Sequence, residues 1–109
     1  MLLKPTEKEF TKTIENIGTF TFRYPTLRDE LKAANATAVL LADNNAPSIA
    51  AHNIATMIGA LSTAIVQAPA GFDLSEIYVY EELEAVYNAF IEQVLTFRGQ
   101  STFRKPPGS

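Results

Sequence analysis

The 109-residue chain contains no cysteine. Disulfide staples, thiol nucleophiles and cysteine zinc sites are therefore excluded, and a reducing cytoplasm is compatible. Charge is missing from a long internal stretch: between Asp43 and Asp73 there is no Lys, Arg, Asp or Glu, and residues 43–97 hold no basic group at all. The five glycines stand alone, so there is no glycine-rich phosphate loop. The start, MLLKPTEKEF, lacks the apolar run of a signal peptide. Residues 47–66 are long enough to cross a bilayer, but Ser48, His52, Asn53, Thr56, Ser62 and Thr63 would be costly in hydrocarbon, so no membrane span is expected.

The charges that are present are unevenly placed. Residues 1–42 carry six basic and five acidic groups, 43–97 seven acidic ones, and 98–109 three basic ones, for a net charge of −3. That balance argues against nucleic-acid binding, which needs a basic surface to neutralise phosphates. Hydrophobic content of 47% and charged content of 19% describe one globular domain with a modest core.

The uncharged stretch organises the chain. Ile54, Met57, Ile58, Leu61 and Ile65 recur at helical spacing and define one face; His52, Thr56, Gly59 and Thr63 define the opposite one. A solvated helix normally carries charge on its outer face. This helix is therefore expected to be covered on both sides, by the core on one and by another helix, from a second copy or another chain, on the other. Small residues permit close approach, so an arginine at Gly59 or Thr63 is expected to abolish association and leave the monomer folded.

The remaining elements follow in order. Residues 10–17 and 19–24 read as a β-hairpin turning at Gly18, because Phe20, Phe22 and Tyr24 alternate with Thr19, Thr21 and Arg23. Pro25 ends the second strand and Thr26 caps a helix with an apolar stripe of Leu27, Leu31, Ala34, Ala38 and Leu41. The turn Asp43-Asn44-Asn45-Ala46-Pro47 separates it from the central helix, capped by Asn45 or Ser48 and running to about Gln67. After Pro69-Ala70-Gly71, a last helix starts at Ser75 or Val79 and reaches Arg98, with acidic groups near its start, Arg98 at its end and Gly99 as C-cap. The fold class is mainly α: a small N-terminal β-hairpin followed by three helices, the central one packed between the others. Residues 1–9 form a lead-in, 10–98 one domain and 99–109 a basic tail.

Nothing in this pattern calls for catalysis or a cofactor. His52 is the lone histidine, with no set of converging ligands around it for a metal. Glu81, Glu82 and Glu84 read as a dipole-matched first turn, and Asp43-Asn44-Asn45 lacks the rest of a calcium loop. Tyr78 and Tyr80 cannot both face the core, so at least one is expected at the surface or at a contact.

Several pieces carry a resemblance. GTFTFRYPTLRDEL (18–31), a helix, VQAPAGFDL (66–74) and a closing helix ending at Phe97-Arg98 together resemble the tail assembly chaperones of long-tailed bacteriophages and prophages. The likeness spans residues 10–98. It implies a small helical protein of the host cytoplasm that binds the tape-measure protein, keeps it soluble and helps recruit tail-tube subunits. Such a protein is absent from the mature virion, often self-associates, and in many phages has a longer frameshifted form. The alternatives are a structural neck or tail-completion protein, or an unrelated helical adaptor. The residues expected to meet a partner are His52, Thr56, Gly59, Thr63, Tyr78 and Tyr80.

Overall fold

Phe20 and Phe22 decide where the N-terminal strands lie. In the computed structural model, which describes residues 4–43 and 46–101, both side chains are fully buried. Each contributes about 2–3 kcal/mol by leaving water. Strand β1 (Glu9–Ile14) pairs antiparallel with β2 (Gly18–Arg23), setting Phe10 opposite Phe22. The other face of the ribbon is hydroxylated: Thr13 and Thr19 meet at 2.9 Å and Thr11 and Thr21 at 3.4 Å. This is the two-faced alternation that the sequence predicts. The turn is built differently: Asn16 takes a positive φ of 67° and the Ile17 N–H donates to the Ile14 carbonyl. Gly18, at φ 137°, is needed for a second reason, since a Cβ there would meet Pro69 Cγ at 2.5 Å.

Helix α1 (Leu27–Leu40) begins with a full capping box. The Thr26 hydroxyl accepts from the Asp29 N–H at 3.1 Å, and an Asp29 carboxylate oxygen accepts from the Thr26 N–H at 2.9 Å. Helix α2 (Ile49–Ala64) is capped by Ser48, whose hydroxyl accepts from the Ala51 N–H at 3.1 Å. Asn45, the other expected cap, and Asn44 lie outside the described residues, as do residues 1–3 and 102–109 with most of the basic tail.

Two boundaries differ from expectation. The central helix stops at Ala64, and Ile65–Gln67 forms a third strand, β3, antiparallel to β2. The sheet is thus three-stranded in the order β1-β2-β3 rather than a lone hairpin. The β-branched pair Ile65-Val66 suits a strand better than a helix end, and Ile65 finds Phe22 opposite it. A register irregularity at Thr21/Phe22 lets this short strand join. Helix α3 (Tyr80–Ser101) follows a single 3₁₀ turn (Leu74–Glu76) and continues through Gly99, which is therefore not a C-cap.

The core joins the phenylalanine face of the sheet to α2 and α3. Met57, Leu61 and Ala64 come from α2, and Leu83, Val86, Phe90 and Val94 from α3. Phe10, Phe22 and Phe90 form a continuous ring cluster, and Gln93 donates to the Tyr24 hydroxyl at 2.7 Å. Helix α1 takes no part in this core. It packs chiefly on α2, at close range: a Cβ built on Gly59 would lie 2.6 Å from Thr37 Oγ1 and 2.7 Å from the Ala33 carbonyl oxygen. Across that contact the Thr37 hydroxyl is shared between the carbonyls of Ala33 (3.0 Å) and Ala55 (3.3 Å). The stripe read from the sequence, Leu27 to Leu41, is mostly left in water: Leu27 is 79% and Leu31 69% exposed, Ala34 and Ala38 are exposed, and Leu41 is half-buried.

Candidate functional site

Because α1 lies against α2 through small residues and meets α3 at one end through the Arg98–Glu30 ion pair, an open groove of about 430 Å³ is left between the three helices. Its floor is one face of α2, namely His52, Thr56, Ala60 and Thr63. One wall is α1, with Ala33, Ala34 and Thr37; the other is α3, with Tyr87, Ile91 and Val94. One turn apart on a helix, these floor residues necessarily line up along the groove axis.

The floor carries almost no unsatisfied polarity. Thr56 donates its hydroxyl proton to the His52 carbonyl at 2.8 Å and Thr63 donates to the Ala60 carbonyl at 2.9 Å. Both hydroxyl protons are thus spent within α2, so the surface offered to a partner is apolar with a few oxygen acceptors and the His52 imidazole. Fixed charge is confined to one end. There Arg98 Nη2 of α3 meets Glu30 Oε2 of α1 at 2.6 Å, and Asp29, 6% exposed, lies 3.2 Å from Arg23. The backbone amide of Thr26, helped by its hydroxyl and by Arg23 and Lys32, holds the Asp29 carboxyl below its ordinary range against the opposing effect of burial.

The six residues singled out from the sequence do not form one site. His52 and Thr56 are exposed on the groove floor with the half-buried Thr63. Gly59 belongs to the same helix face but lies buried beneath α1 of its own chain. The helix that approaches it closely is an internal one, so an arginine there would unseat α1 rather than leave a folded monomer. Tyr78 and Tyr80 do not line the groove; they are 90% and 39% exposed, and the Tyr78 hydroxyl donates to Glu76 at 3.2 Å. Sequence reading missed the α1 and α3 walls. The α3 wall is the flank of a stripe that also feeds the core, and nothing local marks where core ends and groove begins.

No group of three or more His, Asp or Glu side chains among the described residues is placed to hold a metal ion. Among the same residues no helix is long and apolar enough to cross a membrane. Comparison with known protein families, with curated proteins and with solved structures finds no match for this chain.

Proposed function

We propose that the chain is a non-catalytic binding protein, a tail assembly chaperone that holds an amphipathic helix of the phage tape-measure protein in the α1–α2–α3 groove. The observation that carries this reading is the groove itself. It is walled by apolar side chains, floored by a helix face without ionisable groups other than His52, and long enough to follow α2 for three turns from His52 to Thr63. A helix-in-groove contact needs such a trough, with apolar anchors at three- and four-residue spacing on the incoming helix. Weak sequence specificity follows from the lack of fixed charge along the floor, and that suits a long amphipathic helical client. The sequence resemblance supplies the identity of the client and of the tail-tube subunits recruited to it, in the host cytoplasm.

Co-expression with the tape-measure protein tests the proposal. The chain is expected to keep that protein in the soluble fraction, and Thr56→Arg, which places a long cation in the trough, is expected to abolish the effect without changing the circular dichroism of the chaperone. Solubility that ignores Thr56→Arg would remove the groove from the account. Mass spectrometry of purified particles separates a chaperone, expected to be absent, from a neck or tail-completion protein, which would remain.

A further inference from the structure

A separate pocket of about 300 Å³ opens between the residues that lead into β1 and the C-terminal half of α3, and it shares no lining residue with the groove. Its apolar wall is made of three half-buried rings, those of Phe10, Tyr24 and Phe97. The Phe10 and Tyr24 centroids lie 4.7 Å apart and those of Tyr24 and Phe97 5.1 Å, at interplanar angles of 48° and 50°. Neither pair is stacked face to face, which leaves π surface uncovered. The polar part of the lining is rich in acceptors. Glu7 and Glu9 are exposed, and neither has an ion-pair partner among the described residues. Arg23 stands opposite Glu9 in the ladder but gives its guanidinium to Asp29 at 3.2 Å. Gln93 donates an amide proton to the Tyr24 hydroxyl at 2.7 Å, which keeps its carbonyl oxygen for another donor. Among the described residues no basic side chain lines the pocket.

We propose that this pocket is a receptor for a guanidinium group, the side chain of an arginine laid against the ring wall with its N–H groups turned to Glu7, Glu9 and the Gln93 carbonyl. Aromatic rings attract a cation through the negative faces of their π systems. Carboxylates beside them add charge-assisted hydrogen bonds, which are stronger than neutral ones. A guanidinium meets both demands at once, with a flat face for the rings and five donors at its edge for the oxygens. An ammonium is a compact, strongly hydrated point charge and gains less from such a wall. An anion would be repelled by the two carboxylates.

Titration of the nitrogen-15-labelled full chain with N-acetyl-arginine amide, followed by NMR, tests this. The Gln93 side-chain amide and the backbone amides of Glu7 and Glu9 are expected to shift saturably, with a dissociation constant of ~1–10 mM for so small a probe. N-acetyl-citrulline amide, its neutral isostere, and N-acetyl-lysine amide are each expected to bind at least ~10-fold more weakly. The double variant Glu7→Gln, Glu9→Gln is expected to lose affinity for the arginine probe by a similar factor with unchanged circular dichroism, because both positions are exposed. Absence of a saturable shift, equal binding of arginine and citrulline, or an affinity untouched by the double variant would overturn the proposal. A lysine probe bound as tightly as the arginine one would overturn the choice of guanidinium. Arg104→Ala, outside the described residues, separates two sources of the group. Tighter probe binding by that variant identifies the chain's own Arg104 as a competitor for the pocket, and unchanged binding assigns the arginine to another molecule. Client solubilisation by the double glutamine variant is expected to persist, which keeps this outcome distinct from a failure of the groove.

Discussion

Gly59 illustrates how much one hydrogen in place of a methyl can decide. Its missing Cβ is what lets α1 lie against α2, with the Ala33 carbonyl and the Thr37 hydroxyl filling the space. Gly59→Ala gains up to ~1 kcal/mol of helix propensity, but it must displace a backbone carbonyl, and overpacking of that kind costs ~1–3 kcal/mol. The expected outcome is a net loss of about 1 kcal/mol in urea unfolding. The sequence shows a glycine on a small-residue face; it does not show which helix comes to it, because that is set by tertiary packing and not by any local pattern. Asp29 has the opposite history. Its cap role is legible in Thr26-Leu27-Arg28-Asp29, whereas its burial and its Arg23 partner are not. Thr26→Ala should cost about 1 kcal/mol, seen as a lower Tm. The Asp29 carboxyl has a folded pKa below its unfolded value. Its stabilising contribution is therefore complete above the unfolded pKa, near ~3.9, and is lost as pH falls through the folded one. Asp29→Asn should flatten that part of the acid-unfolding curve and leave the shape near neutral pH unchanged.

At the level of elements, the helices were legible and their facing was not. Period and caps place α1 and α2 within a few residues of where they lie, since Thr26 and Ser48 satisfy free amides at both starts. Direction is another matter. The largest apolar residues of α1 point outward, and its close contact with α2 is made by Ala33 and Thr37. An apolar stripe signals that a surface will be covered, but not by what. The same logic applies to α2, where Met57 and Leu61 are buried as their period implies, while Ile54 at the same helical spacing is exposed. The groove yields a further expectation at this scale. Arg98→Ala removes the Glu30 ion pair that closes one end of it. Both groups are partly exposed, so the loss should stay below about 1 kcal/mol while the freed end widens. Faster amide exchange in the first turn of α1, with the rest of the helix unchanged, is the expected reading.

Across the whole molecule, the layout of a small β element followed by three helices was apparent from alternation and period, but closure of the sheet was not. Residues 65–67 are too few to show a strand period, and they continue a helical run without punctuation. Only a tertiary partner, the β2 edge beside Phe22, turns them into a strand. That third strand ties the two ends of the fold together, because Phe22 lies between Ile65 on one side and Phe90 of α3 on another. Ile65→Pro should therefore lower the global unfolding free energy, not merely fray a local edge, by removing the N–H that donates to the Leu61 carbonyl at the end of α2 and the side chain set opposite Phe22. Matching losses from near-ultraviolet and far-ultraviolet circular dichroism would show this.

The same tie sets a schedule for biosynthesis. The hairpin is complete once Arg23 has left the ribosome, yet its second edge stays open until Ile65–Gln67 emerges, and its phenylalanine face stays wet until Phe90 follows. Between those two points the nascent protein thus exposes an adhesive ribbon with one flank unprotected. A transcript interrupted between the codons for Arg23 and Ile65 should yield an insoluble product, whereas one stopped just beyond Ser101 should still release a folded domain.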